Sequence, residues 1–393
     1  MIEILFILFL FSSQYKNAHS VFLSPDVTLL LAVILIPYTA ILYRKTTKGK
    51  FFNQSTVTFL LFSTWIILST IWAPSSFYTT SKALCFLVYT LPAFFIGHLI
   101  TGRDPKRLER FLWIIILFSF FVQGEAYRLS FLTHGKMGDV LGNNYLVAGQ
   151  TIGIGFLLLM VMSFFQLRQG RHPLYWILMF LCGTFCTIQF HLGGRGPVLA
   201  AFLSLVLFYG NGVVGPDSPL YRRHLFHFLA ISIVTYILFS WLSQTELCQF
   251  WIRFLPVFDP THADEPLSTR FDYYRSALLA FTEHPFIGLG LGGWPIYRNL
   301  GDLPWQHPHN IALEVLAETG IIGGILGLAF GISVLKTISF APKHQSSLSI
   351  SCVILLFFAT LNALKSGDLN DNIILFTMAG IITAWARQPG DRS

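Results

Sequence analysis

Trp305-Gln306-His307-Pro308-His309-Asn310, followed by Leu313-Glu314-Val315-Leu316-Ala317-Glu318-Thr319-Gly320-Ile321-Ile322-Gly323, is where the one long polar stretch of the chain runs into an apolar segment. Pro308 and Asn310 mark a helix start with Asn310 in the N-cap position, after which Ile311 to Leu335 reads as a membrane span. An imidazole at His309 would face the positive end of the helix dipole, which disfavours the imidazolium and leaves a neutral group able to accept a proton. Glu314 and Glu318 follow Asn310 at steps of four, so the three share a helix face. Two carboxylates inside a span are costly unless they hold a partner, such as a neighbouring arginine, or polarise a loop.

The rest of the chain explains why this boundary stands out. Of 393 residues, 54% are apolar and only 11% charged, whereas a soluble domain carries about 25% charged residues. An all-α, polytopic membrane protein is expected. About twelve apolar windows are long enough or nearly so, near residues 2–14, 25–43, 55–73, 81–100, 111–132, 145–166, 174–191, 197–214, 225–243, 309–335, 347–364 and 372–386. The first is short, and Glu3 is wrong for the basic start of a cleaved signal peptide, so it is read as a span. The expected organisation is spans one to nine over residues 1–243, one large outer loop with amphipathic helices over 244–308, and spans ten to twelve over 309–393.

Orientation follows from lysine and arginine, which favour cytoplasmic loops. With both termini inside, the segments 44–50, 103–110, 168–171, 222–223, 336–343 and 387–392 collect sixteen of the 26 basic residues. Arg195, Arg270 and His309 then fall on the opposite, outer face, although they are far apart in sequence.

Arg195 sits in Gly193-Gly194-Arg195-Gly196-Pro197, a tight turn with Pro197 read as the first helical residue. Alone it reads equally well as an interfacial arginine reaching for lipid headgroups; the flanking glycines favour close backbone approach to an anion. Arg270 and Arg275 lie in a stretch with apolar positions at 271, 274, 278 and 281, the spacing of an amphipathic helix on the membrane surface. Their guanidinium forks suit phosphate oxygens, although an ordinary surface helix with its arginines solvated or paired with Asp272 reads equally well. His307 and His309 have no third metal ligand in pattern, and Asp259, Asp264 and Glu265 read as a solvated loop, so no metal and no cofactor are expected. The five cysteines are scattered, and Cys182 and Cys186 read as packing residues.

Gly194-Arg195-Gly196, the arginine helix at Arg270, His284-Pro285 with Gly288-Leu289-Gly290, and Pro308-His309-Asn310 followed by Glu314, Glu318, Gly320 and Gly323 resemble the O-antigen ligase and polymerase superfamily over residues 180 to 330. In the first half, only Trp72-Ala73-Pro74 followed by Lys82 adds to the likeness. The resemblance implies a membrane glycosyltransferase architecture with its active site on the periplasmic face of a bacterial inner membrane. It also implies an undecaprenyl-diphosphate-linked glycan as donor, and a lipid A-core sugar or another glycan as acceptor. His309, Arg195 and Arg270 would be catalytic, Arg275 would join the two arginines in binding diphosphate, and Asn310, Glu314 and Glu318 would support them. Membrane lipids are the remaining partners, and nucleic acid is not one. A ligase is expected rather than a polymerase, because one outer loop dominates. A protein O-oligosaccharyltransferase is disfavoured by the short segment after the last span, and a transporter by the absence of a repeat between halves.

Overall fold

The structure is a computed structural model describing residues 2–12, 26–46, 53–132, 140–141, 144–192, 194–210, 219–243, 265–302, 306–339 and 346–385. The helices among them are α1 (Ile2–Leu10), α2 (Val27–Thr46), α3 (Gln54–Leu68), α4 (Phe77–Thr101), α5 (Pro105–Leu132), α6 (Tyr145–Arg168) and α7 (His172–Leu192). There follow α8 (Arg195–Gly210), α9 (Pro219–Ser243), α10 (Glu265–Glu283), the single turn α11 (Trp294–Tyr297), α12 (Ile311–Ser339), α13 (Ser347–Ala363) and α14 (Ile373–Trp385). Every apolar window read from the sequence overlaps one of them. Eight are long and apolar enough to cross a membrane, while α8, α13 and α14 are apolar but shorter. With nine residues, α1 is too short to cross alone.

The chain divides into two compact units, residues 1–28, 108–263 and 344–358 in the first and 29–107, 264–343 and 359–393 in the second. In the first unit, α6 is apolar on every side and buried along nearly its whole length, with α7, α8 and α9 packed around it. Gly155 makes that approach possible, since a Cβ there would stand 2.5 Å from the Ser119 Cβ and 2.7 Å from the Phe185 ring. The buried His224 of this unit is paired on both ring nitrogens, meeting the hydroxyls of Ser163 and Tyr209 at 2.9 and 2.8 Å. Glu3, which set α1 apart in the sequence, is buried and accepts from Arg110 at 2.8 Å, so α1 is fastened to α5. Phe6 on Phe111 and Phe11 on Phe118 complete that contact.

The second unit is built around Phe59 of α3, which stacks on Phe94 of α4 at 4.1 Å and meets Phe330 of α12 and Phe376 of α14 at 5.1 and 5.8 Å. Its two ends carry different chemistry. At one end Asn53 caps α3 through the Thr56 amide and donates to the Thr383 carbonyl, 3.1 Å away. At the other, some 22 Å along α3 at 1.5 Å per residue, Asp302 accepts from the Ser75 hydroxyl and from the amides of Phe77 and Tyr78. The segments read from charge as cytoplasmic and outer are therefore separated within this unit. A cysteine at Ser268 in a cysteine-free background should be labelled by an impermeant maleimide applied from outside, and one at Lys106 should not. The reverse pattern would overturn the orientation and the site that depends on it.

Candidate active site

The frame of the site is a helix that stops and restarts. The sequence reads one continuous span from residue 309, but at Gly320 the backbone of α12 leaves helical geometry, with φ 67° and ψ −166°. Such a break would strand carbonyls and amides in an apolar setting. Here they are satisfied from outside the helix. The Ala317 and Glu318 carbonyls accept from the amides of Leu289 and Gly290 at 2.9 and 2.8 Å, and the Thr319 carbonyl accepts from the Trp65 indole at 3.0 Å. The Ile321 amide donates to the Pro285 carbonyl at 2.8 Å. The segment His284 to Gly290 is thus annealed along the break, which explains its glycines. A Cβ at Gly288 would lie 2.4 Å from the Glu318 carbonyl carbon, and one at Gly320 would lie 2.3 Å from the Phe286 oxygen. Gly290 lies as tightly against Ala73, the middle residue of the Trp72-Ala73-Pro74 motif.

Beneath this junction Lys82 of α4 is enclosed by the two carboxylates of the sequence pattern. Its Nζ lies 2.5 Å from Glu314 Oε1 and 2.7 Å from Glu318 Oε2, with all three side chains at most 3% exposed. The expected partner was an arginine; the structure supplies a lysine from a helix more than 230 residues earlier. Only the Glu318 contact has hydrogen-bond geometry, so Glu314 is held as a close charge pair. The Lys82 carbonyl in turn accepts from Asn370, tying α4 to the turn between α13 and α14.

At the head of α12, Asn310 is the N-cap, its Oδ1 accepting from the amides of Ala312 and Leu313 at 3.0 and 3.1 Å. The same side chain donates to the Leu364 carbonyl at 2.8 Å. His309 has φ 57°, an uncommon left-handed conformation for a non-glycine residue. The ring lies parallel to Tyr273 of α10 at 5.9 Å and edge-on to His307 at 4.3 Å. Tyr273 is itself fixed by Arg298 over its ring at 4.3 Å, by the buried Trp294 at 5.2 Å and by its own hydroxyl on Gln306. Burial, then the charges of His307 and Arg270, lower the His309 pKa to about 4. The imidazole is neutral at physiological pH, chiefly through desolvation rather than through the helix dipole that the sequence suggested. Its Nδ1 is buried and has no hydrogen-bond partner among the described residues.

Arg270 lies one helical turn before Tyr273 on α10, on the side that packs against α12, and its charge reaches His309. Among the described residues neither Arg270 nor Arg275 forms an ion pair, so pairing with Asp272 is not what the structure shows. Arg275 is exposed and stands about 140° around the helix from Arg270, so it is not brought to His309. The exposed apolar face of α10, with Phe271 and Leu278, is the one a surface helix would lay on lipid. Arg195 belongs to the first unit, where it opens α8; Pro197 is the third helical residue rather than the first, and the Val198 amide closes the first turn on the Gly194 carbonyl. Asp259 and Asp264 lie outside the described residues, as does Cys248. The roles of Tyr273, Asp302 and Lys365 were not read from the sequence; lone aromatic and charged residues at helix ends carry no pattern that would single them out.

Among the described residues these features define an all-helical chain with the spans of a polytopic membrane protein, whose second unit presents a neutral histidine beside an arginine that forms no ion pair with them, at the head of a broken helix. Residues 145–328 match the family model described as O-antigen ligase. That segment contains Arg195, Arg270 and His309, and over it the chain is similar to the O-antigen ligase family. No curated protein matches the chain.

Proposed function

We propose that the protein is an O-antigen ligase that transfers a glycan from undecaprenyl diphosphate to a sugar hydroxyl of lipid A-core, on the periplasmic face of the inner membrane. The observation that carries the chemistry is the pairing of His309, neutral and with a ring nitrogen unengaged among the described residues, with Arg270, a cation without a carboxylate partner among them. In the transfer step the acceptor oxygen attacks the anomeric carbon from the face opposite the diphosphate and configuration inverts. The carbon–oxygen bond to phosphate breaks, its electron pair stays on the phosphate, and the acceptor proton passes to His309. Arg270 and Arg195 stabilise the charge gathering on the leaving group, the kind of interaction that usually contributes most to catalysis. A base with a pKa near 4 is weak in the free protein, but a bound diphosphate favours the imidazolium and raises that value when it is needed.

In a deletion strain, bare lipid A-core should appear while long glycan accumulates on the polyprenyl carrier, because a ligase consumes finished polymer. The dominance of one outer loop in the sequence, the loop leading to His309, favours this reading over a polymerase. Gel analysis of lipopolysaccharide together with carrier extraction reads both species. Core capped by one repeat unit, with no long carrier-linked chains, would transfer the assignment to the polymerase, with the same residues in the same roles.

With cationic side chains to take up the leaving charge, purified protein in excess EDTA should retain nearly the rate seen with magnesium. Activity lost in chelator and restored by a divalent cation would instead move attention to Asp259, Asp264 and Glu265.

A further inference from the structure

We propose that Lys365, in the turn between α13 and α14, is a further cation of the donor site and contacts the diphosphate of the lipid carrier alongside Arg270. The inference rests on the reading of this site as one for a diphosphate, and it concerns a residue outside the segment that matches the family.

Its position is fixed by backbone contacts. Asn310, next to His309, grips the Leu364 carbonyl with its side-chain amide at 2.8 Å, so the residue following Leu364 is held beside the head of α12. The turn itself is closed: the amides of Leu364, Lys365 and Ser366 return to the carbonyls of Thr360 and Asn362 at 3.0, 3.1 and 2.9 Å. On the other side, Tyr273 stacks on His309, and Arg270 lies one turn before it on the same side of α10. Lys365, Arg270 and His309 are thereby gathered from three elements around one point.

The electrostatics of that point are incomplete. Lys365 is half-buried, and among the described residues neither it nor Arg270 has a carboxylate within ion-pair distance. The acids of the same turn are engaged by the turn's own backbone. Asp368 accepts from the amides of Asn370 and Asp371, both at 2.8 Å, and Asp371 accepts from the Asp368 amide at 3.1 Å. Burial, and after it the charge of Arg270, pushes the Lys365 ammonium down to about 7. Two cations placed to repel one another, out of full contact with water and without an internal anion, are stabilised by an anion from outside. A diphosphate suits the pair: the planar guanidinium fork of Arg270 can take two oxygens of one phosphate, and the compact ammonium of Lys365 can meet the next as a point charge.

The test uses full-length protein in nanodiscs and undecaprenyl diphosphate as the probe, with uncharged undecaprenol as the control. Lys365→Ala and Lys365→Met should weaken undecaprenyl diphosphate binding by about 10- to 100-fold, the usual effect of losing a charge-assisted contact, and leave undecaprenol binding unchanged. Lys365→Arg should restore affinity to within a few-fold, and Lys365→Met should melt no lower than wild type, because it removes an unpaired cation. Diphosphate binding unaltered in Lys365→Met, or lost equally for both ligands, would overturn the proposal, as would a clear fall in melting temperature. Arg270→Ala separates the two levels. If it weakens diphosphate binding and the Lys365 variants do not, Lys365 alone is misassigned; if neither does, the diphosphate site itself is misplaced.

Discussion

His309→Ala is expected to reduce glycan transfer by about 10²- to 10⁴-fold, the span over which a positioned general base acts, while donor affinity stays within a few-fold of wild type. The separation follows from the geometry. In the proposed reaction His309, with a pKa lowered to about 4 and an Nδ1 unengaged among the described residues, would take the acceptor proton and would not be the group that holds the donor's charge. Arg270→Ala should damage both binding and turnover, since diphosphate is present before the transition state and more highly charged in it. Arg270→Lys should not rescue, because a point charge cannot reproduce two parallel hydrogen bonds. The pH profile gives a second reading. Because the imidazole of the free protein is neutral down to about 4, the acid limb of kcat/KM should fall well below the ordinary imidazole value of about 6.5. Substantial turnover in His309→Ala would reduce the histidine to a packing residue against Tyr273.

Lys82→Met should be the most destabilising single change in the second unit. It leaves Glu314 and Glu318 buried with no counter-charge, a situation that costs about 3–5 kcal/mol when one partner of a buried ion pair is removed. Thermal inactivation in detergent should accelerate sharply, and transfer should fall with it, because the same helix segment carries His309 at its head. The triple variant Lys82→Met, Glu314→Gln, Glu318→Gln removes the uncompensated charge and should recover most of the lost stability. If Lys82→Met alone inactivates at the wild-type rate, the carboxylates are not carried as charges and the triad does not brace the site.

Much of this arrangement could be read from the amino acids, and the rest could not for identifiable reasons. The apolar windows found the helices because hydrophobic length needs no tertiary information, and Asn310 declared itself as an N-cap because capping is local. Glu314 and Glu318 declared that something must lie between them, but not that it would be Lys82, since a lone lysine in an apolar window carries no register relative to a helix so far along the chain. Gly288, Gly290 and Gly320 were visible only as part of a resemblance. Their physical purpose, backbone pressed on backbone at a helix break, appears once the two segments are side by side. The stacking of Tyr273 on His309 and the position of Lys365 depend on how three elements dock, which no local pattern encodes.

The break at Gly320 also bears on the depth at which the proposed chemistry would occur. Counted at 1.5 Å per residue, the nineteen residues from Ile321 to Ser339 reach about 28 Å, nearly the thickness of a bilayer's hydrocarbon layer. On that count the nine helical residues before the break are not needed for the crossing, and on the proposed reading they would reach toward the headgroups with His309 and Asn310 ahead of them. A polyprenyl diphosphate carrier, the donor of the proposed reaction, would keep its isoprenoid chain among the acyl tails and its phosphates among the headgroups, which would bring its scissile bond to the height of the imidazole. The interrupted helix would then act as a gauge of height, matching the protein to a substrate whose position along the membrane normal is set by the lipid.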